Sequence, residues 1–436
     1  MTDLKISRID VFQVDLPYAG GVYKLSGGRE YTSFDATVVR VTASDGTEGW
    51  GESTPFGPNW IAAHARGVRA GIAEIAPSLI GLDPRCVDRV YEAMDTALVG
   101  HSHAKTPIDI ACWDIFGKAV GMPVCDLLGG RTDVAMPVIS SIYMGDPEDM
   151  RRRVAEHRAQ GYVGHSVKIG EDPALDAARI AASLADKRPG EFYIVDANGG
   201  MTVESALRML RLLPHGLDFV LEAPCATWRE CASLRRRTDV PIFFDELAVD
   251  DPDIIKLIAD DAAEGIGLKI SKNGGLTKGR RHRDICLAAG YTISVQETAG
   301  SDIAFAAIVH LGQTIPARNL RCVLESRDIV AVKTADGPFD VVNGRVNAPS
   351  LPGLGIAPRM DVLGAPVARV WDGDRLQQAS CIGMSRIAEE LHAAAGKKYA
   401  YIHQPLHRGS NTKSPERCAF GDAIETGLRC QIFISI

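Results

Sequence analysis

Ten cysteines are spread along the 436-residue chain, yet no two of them form a Cys-x-x-Cys pair. Zinc-ribbon and dithiol redox chemistry therefore have nothing to rest on, and scattered thiols of this kind are expected to be reduced packing residues. Also missing are a His-Glu-x-x-His pair, a Cys/His cluster, a Walker sequence, and a Gly-x-Gly-x-x-Gly run that leads into a helix. Basic residues do not predominate: 48 stand against 55 acidic ones, for a net charge of −7, with no sustained basic block. A nucleic-acid partner would need a basic face and is not expected. No apolar run reaches the roughly 18 residues of a membrane span. The opening Met1-Thr-Asp-Leu-Lys-Ile-Ser-Arg8 lacks the apolar core of a signal peptide. A cytoplasmic protein without a membrane partner is expected.

What is present is an ordinary enzyme-like composition, 46% hydrophobic and 24% charged. Within it, short apolar runs end one after another in a charged residue. Tyr193-Ile-Val-Asp196, Phe219-Val-Leu-Glu222, Ile242-Phe-Phe-Asp245 and Ile266-Gly-Leu-Lys269 are four of these. Val167-Lys168 precedes them and Ile293-Ser-Val-Gln-Glu297 follows. Successive charged ends lie 23–28 residues apart, room for one strand, one helix and two loops. Strands alternating with helices at that period imply parallel β/α units. In a barrel of such units the strand ends converge on one face, where the active site lies. Lys168, Asp196, Glu222, Asp245, Lys269 and Glu297 are the residues gathered there.

Ahead of this region, segments 4–16 and 36–52 alternate as strands, with a hairpin turn at Ala43-Ser-Asp-Gly-Thr47. Between them runs a glycine-rich loop, Tyr18 to Gly28, which suits a lid better than a phosphate cradle. A second loop, residues 51–60, is rich in turn formers and aromatics. Helical spacing follows over 61–76, 87–98 and 104–120, the last stopped by Gly121. The expected layout is an α+β capping domain at 1–130, a β/α barrel at 131–335, and a segment at 336–370 that returns to the capping domain. Residues 371–436 lose the pattern, apart from one helical stretch from Ser385, and are expected to form a loosely ordered tail without a function.

A lone acidic residue at a strand end is as a rule a helix cap or an ion-pair partner. Three on successive strand ends, Asp196, Glu222 and Asp245, make a hard oxygen site suited to magnesium. Lys168 and Lys269 flank them. A lysine in an apolar run is costly unless it reaches a partner. Burial and a nearby cation are expected to depress the pKa of both lysines, so that one can act as base toward the α-proton of a bound carboxylate. The metal would stabilise the enediolate that forms.

These residues resemble the enolase superfamily, for which a Lys or His base and magnesium at an ene-diolate are the general pattern. The resemblance spans about residues 4–370. It is carried by Pro107-Ile-Asp-Ile-Ala-Cys-Trp-Asp114, Leu127-Leu-Gly-Gly130, Asp245-Glu246, Leu268-Lys-Ile-Ser-Lys-Asn-Gly-Gly275 and Pro352-Gly-Leu-Gly-Ile356. It implies a capping domain on a (β/α)7β barrel, Mg2+ on Asp196, Glu222 and Asp245, and catalysis by Lys168 and Lys269. Lys168 matches the second lysine of a Lys-x-Lys motif and Lys269 the lysine of the sixth strand, as in the muconate-cycloisomerase-like group. Two positions depart from the pattern. Ser166 replaces the first Lys-x-Lys lysine. Ala299 replaces a tryptophan in Glu297-Thr-Ala-Gly-Ser-Asp302, which corresponds to the motif of the eighth-strand region and whose wall should be enlarged or loosened.

Within the superfamily the resemblance is to enzymes of proline derivatives. It implies dehydration of cis-3-hydroxy-L-proline, with 2-epimerisation of proline betaine or hydroxyproline betaine as the alternative. A non-catalytic barrel is a minor third reading. Tyr23, Phe56, Trp60, Glu297 and Leu324 are the expected substrate-binding residues. Leu324 occupies a position where the betaine epimerase carries a tryptophan. The implied partners are a small-molecule imino-acid carboxylate and further copies of the same chain.

Overall fold

The computed structural model describes residues 3–371. The segment expected to be a loose tail, with its helix from Ser385, lies outside them apart from Trp371.

The chain begins with a long strand, β1 (Ile6–Pro17), followed by a small hairpin of β2 (Tyr23–Leu25) and β3 (Arg29–Tyr31). Strands β4 (Ser33–Ala43) and β5 (Glu48–Ser53) complete an antiparallel sheet with β1, and Ala368–Trp371 adds to its free edge. The glycine-rich stretch is thus a paired hairpin, with Gly27 and Gly28 in the left-handed region at its turn. Helices α1 (Ala65–Ile75), α2 (Val87–Ala97) and α3 (Ser102–Val120) cover the sheet. α3 is buried on nearly every side, and Gly49 and Gly51 let β5 lie against its backbone. A methyl group at either position would stand about 2 Å from a carbonyl oxygen of the helix.

After the short α4 (Val124–Leu127) come eight parallel strands. They are β6 (Met136–Ile142), β7 (Gly164–Lys168), β8 (Phe192–Asp196), β9 (Val220–Glu222), β10 (Ile242–Phe244), β11 (Gly265–Lys269), β12 (Thr292–Gln296) and β13 (Leu320–Leu324). β13 pairs in parallel with β6, so the sheet closes. Seven helical connections join the eight strands, which makes this a (β/α)7β barrel. They are α5 (Pro147–Ala159), α6 (Pro173–Leu184), α7 (Val203–Leu212), α8 (Trp228–Arg235), α9 (Asp251–Ala259), the pair α10 (Ile270–Asn273) and α11 (Leu276–Ala288), and α12 (Asp302–Gly312). The first five start alike: Asp146, Asp172, Thr202, Thr227 and Asp250 cap their free N–H groups. The segment from Glu297 to Asp302 follows the seventh strand, β12. It therefore belongs one strand earlier than the motif comparison placed it.

Buried carboxylates fasten the capping elements to the barrel. Glu52 of β5 accepts from Ser301 N at 2.9 Å, Ser301 Oγ at 2.7 Å and Ala304 N at 3.1 Å, and so caps α12. Asp109 of α3 accepts from Thr277 N at 2.9 Å and Thr277 Oγ1 at 2.5 Å, and so caps α11. Gly275 has to be glycine here, since its φ is +96° and a Cβ would stand 2.4 Å from Asp109 Oδ2. Burial pushes Asp109 up to about 7, against 3.8 in an exposed chain. The folded chain therefore holds this proton more tightly than the unfolded one. Its contribution to stability is full below about pH 4 and lost as pH rises through about 7. Asp109→Asn is expected to flatten the decline in stability over that window, read as the urea midpoint against pH. Asp109→Ala takes the acceptor from Thr277 N–H and Oγ–H, leaving Thr277 only the bond its Oγ1 accepts from Trp113 Nε1, and should lower stability by about 1–3 kcal/mol at every pH.

Candidate active site at the strand ends

Alternation along the barrel strands turns every second side chain inward. Lys168 ends β7 and Asp196 ends β8. Glu222 ends β9, Asp245 follows β10, and Lys269 ends β11. All five point into the barrel mouth. Asp196, Glu222 and Asp245 are each only 1% exposed. Gly267, two residues before Lys269, leaves room for them, because a methyl there would stand 2.6 Å from Glu222 Oε1.

The carboxylates are not equivalent. Asp196 Oδ2 accepts from Lys168 Nζ, and Asp245 Oδ2 accepts from Lys269 Nζ. Asp245 also receives Lys272, with Nζ 3.1 Å from Oδ1 and a second hydrogen bond to the Asp245 carbonyl. Among the described residues, Glu222 has no lysine hydrogen bond. Gln296 Nε2 donates to its Oε1 at 2.9 Å and is itself bonded to Ser294 Oγ at 3.0 Å. Desolvation, with repulsion from Asp196 and Asp245, pushes Glu222 up to about 8. Glu246 behaves likewise: burial and the neighbouring Asp245 push it up to about 7. Burial raises the cost of an ionised Asp245, yet its two lysines hold it below the ordinary range.

With the carboxylates alone beside them, the lysines answer in kind. Burial disfavours the ammonium of Lys168, but Asp196, Tyr23 and Glu222 outweigh it and raise its pKa. Lys269 is raised too, since Asp245 and Glu246 overcome its burial. Depression is seen instead at Lys272, where desolvation dominates and Lys269 repels. Three buried carboxyl groups and the half-buried Glu246 thus meet three ammoniums. A hard dication fits such a group in chemistry and in charge. Among the described residues, no three acidic or imidazole side chains are already closed around a single point, the oxygens of Asp196 and Asp245 being turned to lysines.

Aromatic side chains from the capping elements roof this mouth. Tyr23 donates to or accepts from Ser141 Oγ at 2.9 Å and packs edge-on against Phe56, 5.1 Å between ring centroids. Phe56 touches Tyr31, Phe34 and Trp60 as well. The Trp60 ring lies 4.6 Å from Lys269 Nζ, and its Nε1 donates to Glu246 Oε1 at 3.0 Å. Ala299 is fully buried, packs in this aromatic cluster, and its backbone bridges Thr54. Glu297 is buried nearby, but Oε1 accepts from Thr298 N at 2.8 Å, and its hydrogen bonds do not join the lysine–carboxylate group. Leu324 packs deeper, with Ile139, Ile194 and Cys322. Ser166 is buried and brings no charge, so the third ammonium comes from Lys272 on the far side of the barrel.

Four participants escaped the reading of strand ends. Lys272 lies one helical turn beyond Lys269, Glu246 directly after Asp245, and Asn198 two residues after Asp196. Gln296 is the last residue of β12. Glu246 and Lys272 lie inside two of the motifs that carry the family resemblance, which could have flagged them, whereas for Asn198 and Gln296 only proximity to the charged strand ends was available.

Residues 149–362 match the family model of the enolase C-terminal domain, and residues 29–129 that of the mandelate racemase/muconate lactonizing enzyme N-terminal domain. The chain belongs to the enolase superfamily and is one of its enzymes. It is 41% identical to a cis-3-hydroxy-L-proline dehydratase of Roseibium aggregatum, over 84% of this chain and 100% of that one. A solved structure from Aspergillus oryzae, described as a mandelate racemase/muconate lactonizing enzyme, shares 70% identity with a TM-score of 0.81, covering 84% of this chain and all of that one. A similarly described structure from Roseovarius nubinhibens, complexed with magnesium, shares 53% identity with a TM-score of 0.83 over the same shares. Racemases and cycloisomerases are among the further relatives.

Glu222, raised to about 8, holds a proton at pH 7 that a bound dication would expel. Titration with magnesium at pH 7 should therefore release about one proton. The check is a calorimetric enthalpy that varies with the ionisation enthalpy of the buffer. An enthalpy independent of buffer would contradict it.

Proposed function

We propose that the protein dehydrates cis-3-hydroxy-L-proline to Δ1-pyrroline-2-carboxylate in a magnesium-dependent reaction. One observation carries the reading: Lys168 and Lys269 end the second and sixth strands of an eight-stranded barrel, so they face each other across its mouth with the acidic strand ends between them. A substrate held there presents its two faces to two ammonium-bearing side chains. The 41% identity to a dehydratase of that imino acid supports the choice of substrate.

In this reading Asp196, Glu222 and Asp245 would hold Mg2+, which supplies positive charge opposite the developing enediolate of the substrate carboxylate. Lys168 takes the Cα proton, consistent with the face on which this lysine serves an L substrate in the related group. Lys269 delivers a proton to the 3-hydroxyl as the C3–O bond breaks. The enamine product then tautomerises to the cyclic imine. Lys168 must be neutral to act as base, so part of the work of binding is to separate it from Asp196, which now holds its proton. Tyr23, Phe56 and Trp60 close over the ring and exclude water. Leu324 shapes the floor. Glu297, tied to Thr298, supports the wall beside Thr54. A homo-oligomer in the cytoplasm is part of the same reading.

A second reading, 2-epimerisation of a proline betaine, has one observation in its favour: the Trp60 face already accommodates an ammonium. Proton NMR in D2O with magnesium separates the two. Conversion of cis-3-hydroxy-L-proline to a pyrroline carboxylate is expected, with a loss of about 10²–10⁴-fold in Lys168→Ala. Deuterium entering Cα of L-proline betaine or trans-4-hydroxy-L-proline betaine, with the opposite epimer appearing, would overturn dehydration in favour of epimerisation.

A further inference from the structure

Both loops of the capping elements connect to the Asp196 carboxylate through one residue, Asn198. It follows β8 with φ at +45°, a left-handed conformation that asparagine tolerates better than most side chains, and it is 4% exposed. Its backbone N–H donates to Asp196 Oδ1 at 2.8 Å, and its Nδ2 donates to Asp196 Oδ2 at 2.9 Å. The same Nδ2 donates to Glu246 Oε1 at 3.0 Å. That oxygen is the acceptor for Trp60 Nε1 from the second capping loop. On its other side the Asn198 carbonyl accepts from Ser26 Oγ and from Arg29 Nη2, both at 3.4 Å, at the turn of the β2–β3 hairpin. Arg29 Nη2 and Nε also bond Ser26, each at 2.8 Å, so the turn is held as a unit. The hairpin turn sits hard against the barrel: a methyl on Gly170 or Gly200 would lie 2.7 Å from Ser26 Cβ.

We propose that Asn198 is a positioning residue that makes the pose of Asp196 depend on closure of both capping loops. The hairpin grips the backbone of Asn198, the tryptophan loop grips Glu246, and the amide of Asn198 joins both to the same carboxylate. Loss of either grip frees the amide to turn, and Asp196 with it. A site built this way completes its ligand geometry only when covered, so proton abstraction is confined to a closed, dry pocket. The inference rests on the reading of Asp196 as a magnesium ligand.

A direct route between the loops also exists, since Tyr31 Oη donates to Asn59 Oδ1 at 2.7 Å. The test separates it. Magnesium alone is titrated calorimetrically into the wild type, Arg29→Ala, Asn198→Gly and the double variant, so that any contact from Asn198 to substrate plays no part. Glycine accepts the left-handed backbone, and thermal denaturation verifies that each variant folds. Asn198→Gly should weaken magnesium binding about tenfold or more. Arg29→Ala, remote from the carboxylates, should weaken it about fivefold. In the Asn198→Gly background the Arg29→Ala change should have no further effect. Hydrogen exchange across residues 54–60 should quicken in both single variants. Unchanged magnesium affinity in Arg29→Ala would overturn the proposal, and so would an effect that survives intact without Asn198, which would route the coupling through Tyr31 and Asn59. Failure of the wild type to bind magnesium would overturn the metal-site reading first and the coupling with it.

Discussion

Balancing charge inside the barrel mouth is the constraint on which the rest of the structure depends. Asp196, Glu222 and Asp245 are buried together with the half-buried Glu246 beside them, and an ionised group so placed persists only beside a compensating charge. Three lysines from β7, β11 and the turn after β11 provide most of that compensation. Each ion pair joins two neighbouring strands or a strand and the next loop. The carboxylates therefore do more than await a ligand: they organise the lysines that the chemistry would use. The residual imbalance falls on Glu222 and Glu246, which among the described residues receive no lysine hydrogen bond, and it explains why a dication suits the site.

The capping elements are fixed by the same currency of buried polar contacts. Glu52 and Asp109 each reach across to cap a barrel helix, and Asp114 accepts from Trp50 N at 3.1 Å and Leu354 N at 2.8 Å. These bonds explain why the long motif on α3 carries two aspartates at positions where an amphipathic helix would bury apolar groups. Their work is structural, and it places the aromatic loops over the strand ends. Tyr23, Phe56 and Trp60 lie there as parts of one edge-to-face cluster.

Barrel, strand order and five charged strand-end residues were legible in the sequence because a period of strand plus helix recurs, and each run terminates in a charge that would be costly anywhere but at a site or partner. Lys168 and Lys269 fall on the second and sixth strands as the spacing implies. The less legible features depend on contacts between distant segments. That the glycine-rich stretch is a hairpin gripping Asn198, that Lys272 supplies an ammonium where Ser166 does not, and that Ala299 packs within the aromatic cluster are all outcomes of packing. The sign of the lysine shifts depends likewise on what stands beside them: burial argues for depression, whereas the carboxylates beside Lys168 and Lys269 reverse it.

The central claim is that Lys168 faces the Cα proton of an L-imino acid while Lys269 stands on the opposite face. L-Proline lacks the 3-hydroxyl and cannot eliminate, so exchange of its Cα proton with D2O isolates the first step. The account predicts magnesium-dependent exchange in the wild type, retained in Lys269→Ala and lost in Lys168→Ala. Exchange that persists without Lys168, or that disappears only with Lys269, would contradict it.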